Sequence, residues 1–178
     1  TVFLTLNSAG VYRSSDNGAT WQEANVGLDP SLVAFIVIRD TTLFVSARYG
    51  GVYKSTDNGD NWIEANSGLP VQQVGKLTFC GTSLFAGVIG GGMYRSTNQG
   101  ESWTEVNNGL NCQTVFTFLT GGATLFAGTY SGGIFRSEDN GSQWTTSNAG
   151  VTNFWINALG RSGSTLFAGT MGGIFRST

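Results

Sequence analysis

The sequence predicts an all-β protein built from repeated four-stranded sheets, and three observations carry that prediction. One pattern returns every 41 residues, as the phenylalanines Phe3, Phe44, Phe85, Phe126 and Phe167 show. Within each period, short apolar segments are separated by Gly, Asn and Asp, with no 3.6-residue periodicity long enough for a helix. Glycine supplies 27 of the 178 residues against two prolines, and Thr, Ser and Asn add 52 uncharged polar residues, a turn-rich β composition. A period of about 41 residues holding four strands matches a β-propeller blade, whereas a β-solenoid normally repeats over fewer residues.

The elements follow in order within one unit. Thr114–Leu119 reads as strand A, Thr124–Gly128 as B, Gly133–Ser137 as C and Gln143–Ser147 as D. The equivalent A strand Leu32–Ile38 is apolar at nearly every position, the pattern of a strand enclosed on both faces. Repeat units run over 10–50, 51–91, 92–132 and 133–172, with a partial unit at 173–178, so that 1–178 reads as one propeller domain. The serines Ser14, Ser55, Ser96, Ser137 and Ser177 are spaced 41, 41, 41 and 40, which places a single deletion between Phe167 and Gly173. The strands expected from this register number 18, giving five sectors, the first without A and the last without D. Such an array is either a ring by itself or part of a larger ring, and its open blade edges invite self-association. The chain opens at Thr1 and stops inside the pattern, and so reads as an excised or processed segment.

Composition excludes several functions. Nine Lys and Arg against eleven Asp and Glu give a net charge of −2, and charged residues make up 11% of the chain. A typical soluble domain carries roughly 25%. No basic surface for nucleic acid can be assembled from this, and no apolar run reaches the roughly 18 residues that cross a bilayer. Histidine is absent, which removes imidazole metal sites and His-dependent triads. The two cysteines, Cys80 and Cys112, fall at opposite ends of their blades. A strand of about six residues separates those ends by roughly 20 Å, so both are expected as free thiols.

The turn between C and D is the most specific motif. It reads Ser-x-Asp-x-Gly-x-x-Trp at Ser14, Asp16, Gly18 and Trp21, at Ser55, Asp57, Gly59 and Trp62, and at Ser137, Asp139, Gly141 and Trp144. In the remaining copy, Ser96, Asn98, Gly100 and Trp103, an Asn replaces the Asp. A short Asp or Asn side chain accepts backbone N–H groups inside its own hairpin, Gly supplies positive φ, and the Trp buries a large ring. The pattern resembles the Asp-box, or bacterial neuraminidase, repeat of propellers in sialidases, xyloglucanases, sortilin-type receptors and photosystem II assembly factors. The resemblance implies a fold rather than a reaction, and an extracellular or periplasmic location.

Several recurring residues have structural explanations. The run Asp57-Asn-Gly-Asp60-Asn lacks the spacing and terminal Glu of a calcium loop, so neither a metal nor a cofactor is expected. The cations Arg13, Lys54, Arg95, Arg136 and Arg176 recur at blade spacing and are expected to make one repeated contact. Glu23, Glu64 and Glu105, with Thr146 in the fourth copy, and Asn25, Asn66, Asn107 and Asn148 read as repeated strand ends.

Residues outside the consensus gather in the B–C and D–A loops, on the rim away from the turn motifs. They are Arg48, Tyr49, Tyr130, Trp155 and Asp29, with Gln72, Gln73 and Met171 beside them. Trp155 is the Trp outside the motif, and Tyr49 and Tyr130 are the tyrosines outside strand C. In the enzymes of the resembling families this rim carries the active site, yet here it offers one carboxylate, Asp29, and one clear cation, Arg48. Arg39, Arg161, Asp40 and Asp60 all fall on the turn side. A two-carboxylate glycosidase site or an arginine triad therefore cannot be placed. The expected function is a non-catalytic binding or scaffold propeller for a carbohydrate or protein. Tyr49, Tyr130 and Trp155 would be its apolar platforms, and Arg48 and Asp29 its polar guides. The alternatives are a fragment of a secreted sialidase- or xyloglucanase-like hydrolase, and an assembly factor or a duplicated or designed scaffold.

Overall fold

The computed structural model describes residues 1–70 and 73–177, and Gln72 of the loop candidates lies outside them. The described residues form eighteen strands in five antiparallel sheets, one per repeat. The first sheet holds β1 (Val2–Leu6), β2 (Gly10–Ser14) and β3 (Gln22–Glu23); the second holds β4 (Val33–Arg39), β5 (Thr42–Ala47), β6 (Gly51–Ser55) and β7 (Ile63–Glu64). The third comprises β8 (Val74–Cys80), β9 (Ser83–Val88), β10 (Gly92–Ser96) and β11 (Thr104–Glu105); the fourth comprises β12 (Val115–Gly121), β13 (Thr124–Thr129), β14 (Ile134–Ser137) and β15 (Thr145–Thr146). The fifth has β16 (Ile156–Ser162), β17 (Thr165–Thr170) and β18 (Gly173–Arg176). The first sheet thus lacks an A strand and the fifth a D strand among the described residues, as the repeat register predicts. No described helix is long and apolar enough to cross a membrane.

Alternation within B and C explains the packing. Each sheet has two apolar faces, and each meets the next sheet in a buried cluster. Val11, Val33, Leu43 and Trp62 join the first two sheets. Phe44, Leu77, Leu84 and Trp103 join the second and third, and Phe85, Met93, Leu125 and Trp144 the third and fourth. The junction of the fourth and fifth sheets is smaller, with Ile134, Ile156 and Ala168 buried and no Trp. Among the described residues, packing runs from each sheet to its successor and the array is not closed.

Two local expectations are corrected. The D strands are shorter than the motif suggests, with pairs such as Phe135↔Thr146 and Arg136↔Thr145, because the Trp before them leaves the ladder to pack between sheets. The A strand β4 is not enclosed on both faces. Val33 is 2% exposed, whereas Phe35 and Ile38 are 41% and 47% exposed, since the inner edge of an open array faces solvent.

Candidate functional site

The turn motif is satisfied internally. In each copy the Ser Oγ accepts the Gly N–H, at 2.8 Å from Gly18 and Gly100 and 2.9 Å from Gly59 and Gly141. The same hydroxyl donates to the Asp or Asn Oδ1, which also accepts the N–H of Thr20, Asn61, Ser102 or Gln143. Hydrogen bonds from Thr20 to Asp16 and from Asn61 to Asp57 are the main reason both carboxyls sit below the usual carboxylate range, Asp57 at about 2. Asp139 is lowered chiefly by the Gln143 N–H. The residue before each Gly is left-handed, at φ 58 for Asn17, 62 for Asn58, 57 for Gln99 and 59 for Asn140.

Each buried Trp then ties two sheets. The indole Nε1–H of Trp62 donates to Ala24 O at 2.9 Å, and those of Trp103 and Trp144 donate to Ala65 O and Val106 O at 2.8 Å. The recurring Asn closes each blade from within. Asn25, Asn66, Asn107 and Asn148 accept the N–H of Val11, Val52, Met93 and Ile134 at 2.6 to 2.8 Å. The cation series is less uniform than its spacing suggests. Arg13 and Arg95 donate to Asn58 O and Asn140 O of the next blade, and Arg13 also pairs with Asp60 at 2.6 Å. Lys54, which has no guanidinium fork, lies 5.9 Å from the Phe44 ring centroid, and Arg136 turns to Glu138. Asp57 and Asp60 are thereby engaged with Asn61, Ser55 and Arg13.

The opposite rim holds the irregular chemistry. A cleft of about 430 Å³ opens there, lined from successive blades by Phe35, Arg48, Gln73, Lys76, Phe116, Trp155 and Asn157 among others. The backbone N–H of Trp155 donates to Asn153 Oδ1 at 3.1 Å, which fixes the entry to β16. Its ring lies 6.3 Å from Phe116 in a stacked arrangement and 4.4 Å from Tyr130 at an angle of 60°, while Phe116 meets Tyr130 edge-on at 5.9 Å. The Trp155 Nε1 is buried and has no hydrogen-bond partner among the described residues. A buried indole N–H without an acceptor is unfavourable by about 1 to 3 kcal/mol. Lys76 Nζ stands 5.4 Å from the Phe35 ring centroid.

Arg48, Gln73 and Trp155 therefore share one cleft, and Tyr130 supports its Trp wall. The other candidates do not join them. Tyr49 is 70% exposed at the tip of the β5–β6 turn, in the left-handed region at φ 65. Asp29 caps the short 3-10 turn Pro30–Leu32, its Oδ1 accepting the Ser31 N–H at 3.0 Å and the Ser31 hydroxyl at 2.6 Å. Met171 is 66% exposed in the β17–β18 turn. Phe116, Lys76, Phe35 and Asn157 escaped sequence reasoning because they sit inside regular A strands, or just within one, where apolar and polar residues alternate by default. Their signal is the repeat itself: Phe35 and Phe116 differ from Lys76 and Asn157 at corresponding positions of otherwise similar strands.

Both cysteines are free and buried, as their placement requires. Burial raises the Cys80 thiol above its ordinary value. Burial also acts on Cys112, but hydrogen bonds from Thr114, Ser131 and Thr129 outweigh it and hold that thiol at about 7.

Comparison with solved structures places this architecture among known propellers. The chain superposes on the extracellular domain of a putative one-component system from B. thetaiotaomicron with a TM-score of 0.76 at 19% identity, covering 98% of this chain and 26% of that one. It matches the GH74 xyloglucanase from Xanthomonas campestris with a TM-score of 0.70 at 19% identity, over 98% of this chain and 34% of the enzyme. The computationally designed Ika8 protein gives 0.74 at 13% identity, over 98% and 54%. These likenesses concern the fold, and the chain spans about half or less of each of these proteins. No curated protein sequence matches it. The family described as the DUF6242 beta propeller domain matches residues 1–114; with its repeated three- and four-stranded sheets, the chain belongs to the DUF6242 beta propeller family.

Proposed function

We propose that the chain is a non-catalytic binding propeller of the Asp-box type, and that its ligand is a carbohydrate held in the cleft beside Trp155. The observation that carries this reading is the unpartnered Trp155 Nε1 set in an aromatic wall with Phe116 and Tyr130. Aromatic faces stack on the C–H faces of sugars and lose little entropy on binding, while a sugar hydroxyl supplies the missing acceptor. Arg48, Lys76, Gln73 and Asn157 provide polar groups that fix orientation. No carboxylate lines the cleft among the described residues, which favours binding over glycoside hydrolysis with its paired acids. An extracellular or periplasmic location accords with neighbours that are an extracellular domain and a xyloglucanase.

The test is a glycan array with the wild type beside Trp155→Phe, Arg48→Ala and Tyr49→Ala proteins of matched melting temperature. Trp155→Phe keeps a ring and removes the N–H. Saturable binding weakened by Trp155→Phe and Arg48→Ala, and untouched by Tyr49→Ala, is expected. No glycan signal from the wild type would overturn the carbohydrate reading in favour of a protein-interaction scaffold.

A further inference from the structure

The cleft beside Trp155 is built from four A strands that share one irregularity. In β4 the ladder passes from Val33↔Ala47 to Phe35↔Ser46, in β12 from Val115↔Thr129 to Thr117↔Gly128, and in β16 from Ile156↔Thr170 to Ala158↔Gly169. The shift in β8 falls between Val74 and Leu77. Each is a β-bulge, in which one extra residue leaves the ladder and its side chain is re-aimed. The extra residues Ala34, Phe116 and Asn157 stand at repeat spacing with Gly75, and all four line the cleft. A second repeated contact sets the ends of the B strands beside them. The N–H of Arg48 donates to Leu32 O at 2.7 Å, and those of Ile89 and Tyr130 donate to Gln73 O and Thr114 O at 3.0 Å. One backbone frame thus recurs in the second, third and fourth sheets, and its side chains differ.

Those differences divide the cleft by charge. The second and third sheets contribute Arg48 and Lys76, two of the nine cations in the whole chain. Lys76 directly follows the bulge position Gly75, is half-buried, and stands with its Nζ 5.4 Å from the Phe35 ring centroid. The fourth and fifth sheets contribute Phe116 and Trp155, with Tyr130 against them. Gly75 presents no side chain between the two halves. Among the described residues neither Arg48 nor Lys76 has an ion-pair partner, since the pairs Arg13–Asp60 and Arg136–Glu138 belong to the turn motifs. Asp29, on the same rim, is taken up by Ser31. A half-buried ammonium beside an aromatic ring gains most from an anion, because a charge-assisted hydrogen bond away from bulk water is stronger than one to a neutral hydroxyl.

Given the carbohydrate reading of this cleft, on which the assignment rests, we infer that the ligand is an acidic oligosaccharide bound in one direction. Its anionic group, a uronic carboxylate or a sulfate ester, lies at Lys76 and Arg48, and a neighbouring sugar ring stacks at Trp155 and Phe116. The Arg48 guanidinium offers a planar fork to the anion and the Lys76 ammonium a point charge, while the Trp155 Nε1–H donates to a hydroxyl of the stacked sugar. Every group in this arrangement belongs to the second to fifth sheets and is held by bonds within them.

The experiment is titration calorimetry of the chain with matched acidic and neutral probes: a galacturonic acid tetrasaccharide beside its methyl ester, and a sulfated galactan tetrasaccharide beside its desulfated form. An oligoglutamate peptide serves as a polyanion without sugar rings. Proteins carrying Lys76→Gln, Lys76→Arg, Trp155→Phe and, as a charge control at the turn rim, Lys54→Gln are compared at matched melting temperature. In at least one pair the acidic member is expected to bind about tenfold or more tighter than its neutral partner, and the pair that shows it tells carboxylate from sulfate. The preference should shrink with added salt, vanish with Lys76→Gln, and survive Lys76→Arg and Lys54→Gln. Trp155→Phe should weaken acidic and neutral members alike. Equal binding within both pairs overturns the acidic assignment and leaves the carbohydrate reading standing, whereas no binding of any sugar overturns both. Oligoglutamate binding as tightly as the acidic sugars, or a preference untouched by Lys76→Gln, also overturns it.

Discussion

Trp144 and Trp21 occupy the same place in the same motif, and their surroundings differ completely. Trp144 is 1% exposed between the third and fourth sheets, with its indole N–H on Val106 O, whereas Trp21 on the outer side of the first sheet is 37% exposed. The local turn is equally well formed in both: Asp16 and Asp139 accept the same backbone and hydroxyl groups. The turn therefore forms from its own four residues, while the energy stored in the Trp depends on having a preceding blade. The same motif at an interior junction and at an edge of this array is energetically unlike.

The largest expected contrast tests that directly. Trp144→Ala should destabilise the protein by about 3 to 5 kcal/mol through lost burial and a cavity, and Trp21→Ala by about 1 kcal/mol or less, both read from urea unfolding. Equal losses would show that Trp21 is buried in solution, by a neighbouring blade or a second molecule.

A smaller contrast concerns two glycines at one repeat position, Gly109 beneath the Trp144 carbonyl and Gly150 with nothing above it. Gly109 and Gly150 are left-handed at φ 84 and 77, so alanine at either costs about 1 kcal/mol or more in backbone strain. Gly109→Ala additionally drives a Cβ to 2.1 Å from Trp144 O, while Gly150→Ala meets nothing. Gly109→Ala should therefore lower the urea midpoint clearly more than Gly150→Ala, and a reversed order would mean that Gly150 is closely packed in solution.

The acid response separates the turns among themselves. The Asp57 carboxyl titrates at about 2 in the folded chain, against roughly 3.9 for an unperturbed Asp. A lowered folded value contributes stability that is present above pH 4 and fades as pH falls from 4 toward 2. Asp57→Asn, which copies the natural Asn98 turn, should flatten the loss of urea midpoint in that window and change little at pH 7. An unaltered acid slope would show that the exposed carboxylate is screened in both states. Because Asp57 is exposed, this effect is expected to be modest.

The smallest expected effect lies inside one closed junction. Cys112 near the cleft rim is held at about 7, while Cys80 near the turn rim is raised by burial. Thiol labelling of the folded protein at pH 7.5 should modify Cys112 first, and unfolding should expose both. Preferential labelling of Cys80 would reverse the assignment of which thiol carries thiolate character.

The strand order, the five sectors and the turn chemistry were all legible in the sequence, because a repeat in phase ties every element to its copies and a turn satisfies its own hydrogen bonds locally. Even the missing A and D strands followed from counting. The candidate site was legible only in part. Arg48 and Trp155 stood out by breaking the repeat, but Tyr49 and Asp29 broke it equally and lie apart, one on a turn tip and the other capping the 3-10 turn. Phe116 and Lys76 lie within ordinary strand alternation, and their one sign was a departure from the repeat at corresponding positions, Asn157 for Phe116 and Phe35 for Lys76.

What the sequence determined by itself was therefore local and periodic: blade length, register, turn conformation and the identity of the packing Trp. Only the tertiary structure decided which of five similar blades present their inner residues to one cleft, and which Trp finds a neighbour. The physical reason is that burial and orphaned hydrogen bonds depend on what stands across a gap, which the local pattern of a repeat does not specify.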